Sequence, residues 1–249
     1  YEITCRDWSS DVGSSDLLNG CVHKSSAGKP AEYHYQMGLS FLSERNYSAA
    51  LQELLEAEKL EPTNTELLYA TGRAYMGKRR PDLAEQKFQK VLLLKPNYSA
   101  VRNDLGVAYL ELKRWDGAIQ QFKLVKDDLL YEQHDSAEIN LGLAYLGKGN
   151  YQQAVDELNT LRSQAPRNPV VRVALGRVLI AQEKLPQAIA EYRRALEIFP
   201  NYAAAHYYLG IALMKSDLVA ARAAFREVVR ILPDSEIGRS SMEYLDLLK

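Results

Sequence analysis

The chain has 249 residues, of which 47% are hydrophobic and 25% charged, and its formal net charge is −1. This composition is typical of a folded domain, and the near-zero net charge excludes a general attraction to nucleic acid or anionic lipid. No apolar run approaches the roughly 18 residues that a membrane span requires. The only cysteines, Cys5 and Cys21, both precede the periodic part of the sequence, so no disulfide framework is indicated.

Residues 1–30 are expected to form a disordered N-terminal tail. Residues 1–17 are rich in Ser and Asp and show neither a helical nor a strand period. The stretch from Asp7 to Leu17 closely resembles a translated sequencing-adapter oligonucleotide, DWSSDVCSSDL, with Gly13 as the single mismatch. We interpret residues 1–17 as an artefact that replaced the native start, with a natural tail as the alternative, and exclude them from reasoning about the fold.

Residues 18–21 carry a second feature of this tail. The run LLNGC ends at Cys21 and resembles the end of a bacterial lipobox, in which the cysteine becomes the lipidated first residue of the mature protein. Asn19 departs from that pattern, and the charged and apolar regions of a signal peptide are missing. Because a polar spacer (residues 22–30) follows, we predict lipidation at Cys21, with an incidental cysteine as the alternative.

From residue 31 onward the sequence repeats with a period of about 34 residues, which is the sign of a stacked helical-repeat protein. Small residues let the two helices of a unit approach closely, a large residue fills the space beside them, and a proline ends the second helix. The glycines are Gly38, Gly72, Gly106, Gly142, Gly176 and Gly210. The alanines are Ala50, Ala84, Ala118, Ala154, Ala188 and Ala221, and the large residues are Leu54, Phe88, Phe122, Leu158, Tyr192 and Phe225. The prolines are Pro62, Pro96, Pro166, Pro200 and Pro233.

This pattern resembles the tetratricopeptide repeat. The resemblance implies an all-α fold, a right-handed α-solenoid of six repeats plus a C-terminal capping helix, in a domain that covers residues 31–249. The repeats fall at about residues 31–64, 65–98, 99–134, 135–168, 169–202 and 203–234, and the cap at 235–249. Four asparagines are predicted to cap the helices that follow them, namely Asn64, Asn97, Asn168 and Asn201. The apolar side of the cap is assigned to Ile237, Met242, Leu245 and Leu248.

Two repeats are irregular. The third ends in Leu129-Leu130-Tyr131 in place of a proline, and a two-residue insertion precedes the fourth. In the sixth, the spacing from Gly210 to Ala221 is one residue short, which predicts a tighter turn between its helices.

In tetratricopeptide proteins the first helix of each repeat lines the concave side, so the resemblance implies a groove. All its predicted lining residues except Arg73, Asn103 and Arg177 are apolar or tyrosine, and soluble monomers seldom expose so large an apolar patch. We therefore predict that the groove binds a protein partner, as an extended segment or an amphipathic helix. The two arginines would orient a carboxylate or a backbone group. The alternative is that these side chains pack against neighbouring helices. The lining residues are Tyr35, Leu39, Leu42, Tyr69, Arg73, Met76, Asn103, Val107, Leu110, Ile139, Leu143, Leu146, Val173, Arg177, Ile180, Tyr207, Ile211 and Met214.

No motif indicates catalysis, because CxxC, HExxH, GxSxG and P-loop spacings do not occur. The histidines are His23, His34, His134 and His206. His34 and His206 occupy equivalent positions in different repeats, which favours a packing role over metal binding. We expect no enzyme, cofactor, metal or small-molecule substrate. The lysines with which tetratricopeptide co-chaperones hold a C-terminal carboxylate are also absent, so that class of partner is not indicated.

The junction between repeats three and four resembles the type IV pilus biogenesis lipoproteins called pilotins. The match lies in Leu130, Tyr131, Ala137, Asn140, Leu141 and Gly142, and in the run NDLG at residues 103–106. The resemblance implies a lipid-anchored protein on the periplasmic face of the outer membrane, which assists localisation and assembly of the pilus secretin. Two alternatives stay open. One is a general adaptor of another envelope or cytoplasmic complex, and the other a regulatory domain detached from a larger enzyme, which the capping helix disfavours.

Overall fold

The computed structural model describes residues 29–248, so the adapter-like segment, Cys21 and His23 lie outside the described residues. The described residues form thirteen α-helices and no strand. The helices are α1 (Ala31–Ser43), α2 (Tyr47–Leu60), α3 (Thr65–Gly77), α4 (Pro81–Leu94), α5 (Ser99–Glu111), α6 (Trp115–Lys126), α7 (His134–Lys148), α8 (Tyr151–Gln164), α9 (Pro169–Ala181), α10 (Leu185–Ile198), α11 (Ala203–Leu213), α12 (Leu218–Ile231) and α13 (Glu236–Leu247). The first twelve form six antiparallel pairs, and the described part of the chain is an all-α solenoid.

The glycine in the first helix of each pair faces the large side chain in the second. A Cβ atom added at any of these six glycines would lie within 2.8 Å of that side chain, which is closer than packed atoms can come. The six large residues are themselves buried. This arrangement confirms the packing role predicted for the repeated glycine. The pairs are Gly38 with Leu54, Gly72 with Phe88, Gly106 with Phe122, Gly142 with Leu158, Gly176 with Tyr192 and Gly210 with Phe225.

The curvature of the stack follows from which helices touch. The backbones of successive first helices, such as α5, α7 and α9, approach one another closely, whereas those of successive second helices stay farther apart. The first helices therefore lie on the inner, concave side. On the outer side, charged side chains span the gap between second helices, as in the 2.5 Å ion pair of Lys87 with Glu58 and the 2.6 Å pair of Lys126 with Glu157.

The links inside the helix pairs differ between the sixth repeat and the other five. Each of the first five contains one residue in the left-handed region, with φ between 56° and 85°. The sixth link, residues 214–217, contains none, and α11 has 11 residues where α9 has 13. The tighter turn predicted there was wrong, because the missing residue shortens the helix and leaves the link longer. The five left-handed residues are Arg45, Arg79, Lys113, Gly149 and Glu183.

Two of the four predicted asparagine caps are present. The Asn64 side chain accepts hydrogen bonds from the amides of the helix that follows it, at 3.1 and 3.2 Å, and Asn168 accepts one at 3.0 Å. The prediction was wrong for Asn97 and Asn201, because α5 and α11 begin after a tyrosine that makes no side-chain cap. These asparagines directly follow their proline and lie one residue too early. Asn201 instead accepts a 2.8 Å hydrogen bond from Arg230.

The C-terminal helix α13 packs against α11 and α12. Its Tyr244 ring stacks on Phe225, with ring centres 4.8 Å apart. Gly238 and Ser241 are buried on the same side, whereas Met242 is exposed. The apolar role predicted for Met242 was therefore wrong, since small residues allow α13 to lie close to the preceding chain.

Candidate protein-binding groove

Most of the predicted groove residues keep exposed surface on the concave side. Three do not, because Asn103, Ile139 and Val173 are only 8%, 7% and 5% exposed. All three occupy the fifth position of a repeat, where the first helix meets its neighbours, and the two aliphatic residues belong to the core. Their predicted role as open lining was wrong. The others combine partial packing with exposure, namely Tyr35, Leu39, Leu42, Tyr69, Arg73, Met76, Val107, Leu110, Leu143, Leu146, Arg177, Ile180, Tyr207, Ile211 and Met214.

A cleft of about 590 Å³ opens in the N-terminal half of this groove. It lies where α1, α3 and α5 run side by side, and Arg45 in the link that follows α1 also lines it. We call it the N-terminal cleft. Its apolar walls carry methyl and thioether groups that suit an aliphatic side chain, and its polar walls carry two guanidinium groups and one carboxylate. The lining residues are Leu39, Leu42, Ser43, Arg45, Tyr47, Arg73, Met76, Gly77, Asp104 and Val107.

Asp104 is a cleft residue that the sequence reasoning missed. Its Oδ2 accepts a 2.9 Å hydrogen bond from the Tyr69 hydroxyl. Burial raises the pKa of Asp104, although the Tyr69 hydrogen bond and the charge of Arg73 act in the opposite direction. Burial and the nearby Asp104 charge likewise raise the pKa of Tyr69. The predicted lining residues are the fifth, ninth and twelfth of each repeat, whereas Asp104 is the sixth residue of the third repeat. The signal in the sequence was an acidic residue between the predicted lining residues Asn103 and Val107.

The two groove arginines are held by aromatic rings. The guanidinium carbon of Arg73 lies 5.8 Å from the centre of the Tyr69 ring, and that of Arg177 lies 5.3 Å from the Tyr208 ring. Neither forms an ion pair with any described residue, and the same holds for Arg45 at the end of the cleft. Stacking orients Arg73 and Arg177 and leaves their donors available to a carboxylate.

The repeat position that His34 and His206 share has a structural role. His206 Nε2 lies 2.8 Å from the carbonyl oxygen of Pro200, and Arg102 and Arg172 use the same position to reach the equivalent proline carbonyls at 2.6 and 3.3 Å. His34 instead pairs with Glu53 at 2.7 Å. Within residues 29–248, no group of three or more His, Cys, Asp or Glu side chains could hold a metal ion.

The irregular junction is a longer link between repeats. The junction loop, residues 127–133, joins α6 to α7 with seven residues, whereas the other links between repeats have four. Tyr131 packs against the core, and its ring centre lies 6.0 Å from that of His134. Leu129 and Leu130 are 90% and 91% exposed. The sequence placed this irregularity correctly but did not show which of its apolar residues would be buried.

None of the helices in the described part of the chain combines the length and the apolar character needed to cross a membrane.

Several solved structures share this fold. One is described as PilW, a widely conserved type IV pilus biogenesis factor, and has a TM-score of 0.68 at 19% sequence identity. The match covers 87% of this chain and 100% of the PilW chain. The structure of Pseudomonas aeruginosa PilF has a TM-score of 0.62 at 20% sequence identity, and the match covers 86% of this chain and 96% of the PilF chain. A chain of the APC/C hetero-tetramer Cut9–Hcn1 has a TM-score of 0.66 at 14% sequence identity, and the match covers 88% of this chain and 43% of that chain. At these identities the likeness concerns the fold alone.

One curated relative is the human protein O-mannosyl-transferase TMTC1, which is 29% identical over 114 residues. The match covers 44% of this chain and 13% of that protein, so the chain spans only a small part of its relative. The activity in that name belongs to the human protein.

Family models match most of the repeats. One described as "Tetratricopeptide repeat" matches residues 35–100 and 69–129, and another with the same description matches 145–193. A third, described as "TPR repeat", matches 176–217. These matches agree with the paired helices and the glycine contacts, and the chain belongs to the tetratricopeptide-repeat family.

Proposed function

We propose that this chain is a non-catalytic scaffold that binds a protein segment in its concave groove. The observation that carries the proposal is the N-terminal cleft, which combines apolar walls with the unpaired guanidinium groups of Arg45 and Arg73. Tetratricopeptide repeats are generally protein–protein interaction modules and non-catalytic scaffolds. The chain supplies shape, apolar surface and charge, and no step of bond chemistry is assigned to it.

The energetics of the cleft suit a segment with two or three aliphatic anchors. Each anchor that becomes fully buried contributes roughly 1.5–3 kcal/mol before the cost of association is subtracted. The arginines would pair with a carboxylate of the segment, while Asp104 would accept a hydrogen bond or pair with a cation. Specificity would come from the spacing between the apolar anchors and these charges.

The partner that we propose is the type IV pilus secretin, with the scaffold anchored by lipid at Cys21 to the periplasmic face of the outer membrane. Support comes from the lipobox-like run that ends at Cys21, from the irregular junction loop, and from the overlap of the fold with PilW and PilF over nearly their whole lengths. In this proposal the lipid fixes the destination, and the groove shields an apolar segment of the secretin until the ring assembles.

Deletion of the gene tests this proposal. Secretin multimers, measured on gels of membrane fractions, should be lost or appear in the wrong membrane, and the wild-type gene should restore them. Restoration by Cys21→Ala should be incomplete, because the anchor supplies the destination. Normal multimers in the deletion strain would contradict the proposed role.

A second candidate is a general adaptor of another complex. The likeness to Cut9–Hcn1 supports this candidate, because a solenoid with a TM-score close to that of PilW belongs to a hetero-tetramer of the APC/C. Purification of the chain with its bound partners separates the two. Partners outside the pilus system, with secretin absent, would favour the adaptor.

A further inference from the structure

The junction loop presents two leucines to solvent at the border between repeats three and four. Leu129 and Leu130 are 90% and 91% exposed, whereas the neighbouring Tyr131 packs against the core. Exposing two adjacent leucines gives up the roughly 1.5–3 kcal/mol that burial of each would contribute. The loop therefore displays apolar surface that the fold itself does not use.

Hydrogen bonds centred on Asp128 order the loop backbone on either side of these leucines. The Asp128 Oδ1 accepts a 3.1 Å hydrogen bond from the Leu130 amide, and the Asp128 carbonyl accepts a 3.0 Å bond from the Tyr131 amide. The buried Ser99 hydroxyl of α5 donates to the Asp128 Oδ2. The bonds from Ser99 and Leu130 lower the pKa of Asp128, so this carboxylate stays ionised at neutral pH. A pre-ordered loop loses less conformational entropy when a partner binds it.

The charged residues that flank the leucines in sequence are all acidic. The stretch from residue 127 to residue 135 contains Asp127, Asp128, Glu132 and Asp135 and neither lysine nor arginine. The preceding Lys126 points its charge to Glu157, at 2.6 Å. Acidic surroundings disfavour contact with an anionic lipid surface and favour a partner surface that carries basic residues.

We propose that the junction loop is a second docking surface, which inserts Leu129 and Leu130 into an apolar pocket bordered by lysine or arginine on the partner protein. This inference rests on the proposed function, since that partner is taken to be the secretin subunit held in the groove. Ser99 at the start of α5 holds Asp128 of the junction loop, and Asp104 and Val107 of the same helix line the N-terminal cleft, so the two surfaces share one helix. Two linked contacts bind more tightly than either contact alone.

The affinity of the purified full chain for purified secretin subunit tests this proposal. We expect Leu129→Glu combined with Leu130→Glu to weaken binding about tenfold to a hundredfold, as for central apolar anchors of an interface. Leu93→Glu is the matched control, because Leu93 is 83% exposed on the outer helix α4, and it should leave the affinity unchanged. Circular dichroism should show equal helicity in all three proteins.

The outcomes separate the two proposals. Equal affinity of the double variant and the wild type would overturn the loop proposal and leave the groove proposal standing. A wild-type chain that does not bind secretin would overturn the proposed function, and the loop proposal with it. Binding to phosphatidylglycerol vesicles that the double variant loses would also overturn the loop proposal, because a lipid surface would then be the occupant.

Discussion

Asp104 holds a partly buried carboxylate on the wall of the N-terminal cleft, and burial raises its pKa. A carboxyl group with a raised folded-state pKa binds its proton more tightly in the folded chain than in the unfolded one. Its ionisation therefore lowers the free energy of unfolding as the pH rises above about 3.9, the ordinary pKa of Asp. This loss is complete once the pH exceeds the folded-state pKa.

Asp104→Asn tests that reasoning at a single residue. The amide oxygen can still accept the Tyr69 hydrogen bond, but the buried charge is removed. We expect the variant to have the larger free energy of unfolding at pH 7, with the difference from the wild type shrinking as the pH falls toward about 4. Urea titrations of both proteins at several pH values measure this difference in the free energy of unfolding. A wild-type protein more stable than the variant at pH 7 would contradict the expected sign.

Gly142 tests the contact between the two helices of a repeat. An added Cβ would lie 2.7 Å from Leu158, so Gly142→Leu should lower the free energy of unfolding by about 1–3 kcal/mol through overpacking. Leu158→Ala opens space at the same point, so the double variant should be more stable than the sum of the two single changes predicts. Chemical denaturation of all four proteins measures this coupling. Additive effects would show that the two residues do not share the contact.

At the scale of the helix, caps show where sequence patterns succeed and fail. Asn64 lies in the link between the first and second repeats, and Asn97 in the equivalent link between the second and third. Both follow a proline, and both were predicted to cap the next helix. The side chain of Asn64 does so, but Asn97 lies one residue before the position whose side chain can reach the free amides. The presence of an asparagine after the proline was sufficient to locate the start of the next helix. Its exact position was needed to decide whether its side chain caps that helix.

This difference predicts unequal effects of the same substitution. Asn64→Ala should lower the free energy of unfolding by about 0.5–2 kcal/mol, because two amides of α3 lose their acceptor. Asn97→Ala should change it by less than about 0.5 kcal/mol, as expected for an exposed residue without such a role. Thermal and urea unfolding of the two variants provide the comparison. Equal losses would refute the assignment of the cap.

At the scale of the whole molecule, the repeat period predicted much of the architecture. It identified the helix pairs and the buried glycine contacts, whereas the inward-facing side of each first helix was implied by the resemblance to the tetratricopeptide repeat. It did not predict how closely neighbouring first helices approach, so Ile139 and Val173 were placed on the open surface although they are core residues. Asp104 was missed because its role depends on Tyr69 of the preceding repeat, 35 residues away, a contact that the period of one repeat does not specify.

The central claim is that a partner lies in the concave groove, and crosslinking in cells tests it most directly. A photoreactive amino acid at Met76, on the wall of the N-terminal cleft, should give a covalent adduct that contains the pilus secretin. The same group at Leu93, on the outer helix α4, should not. An adduct from position 93 in place of position 76, or no secretin adduct from position 76, would contradict the account.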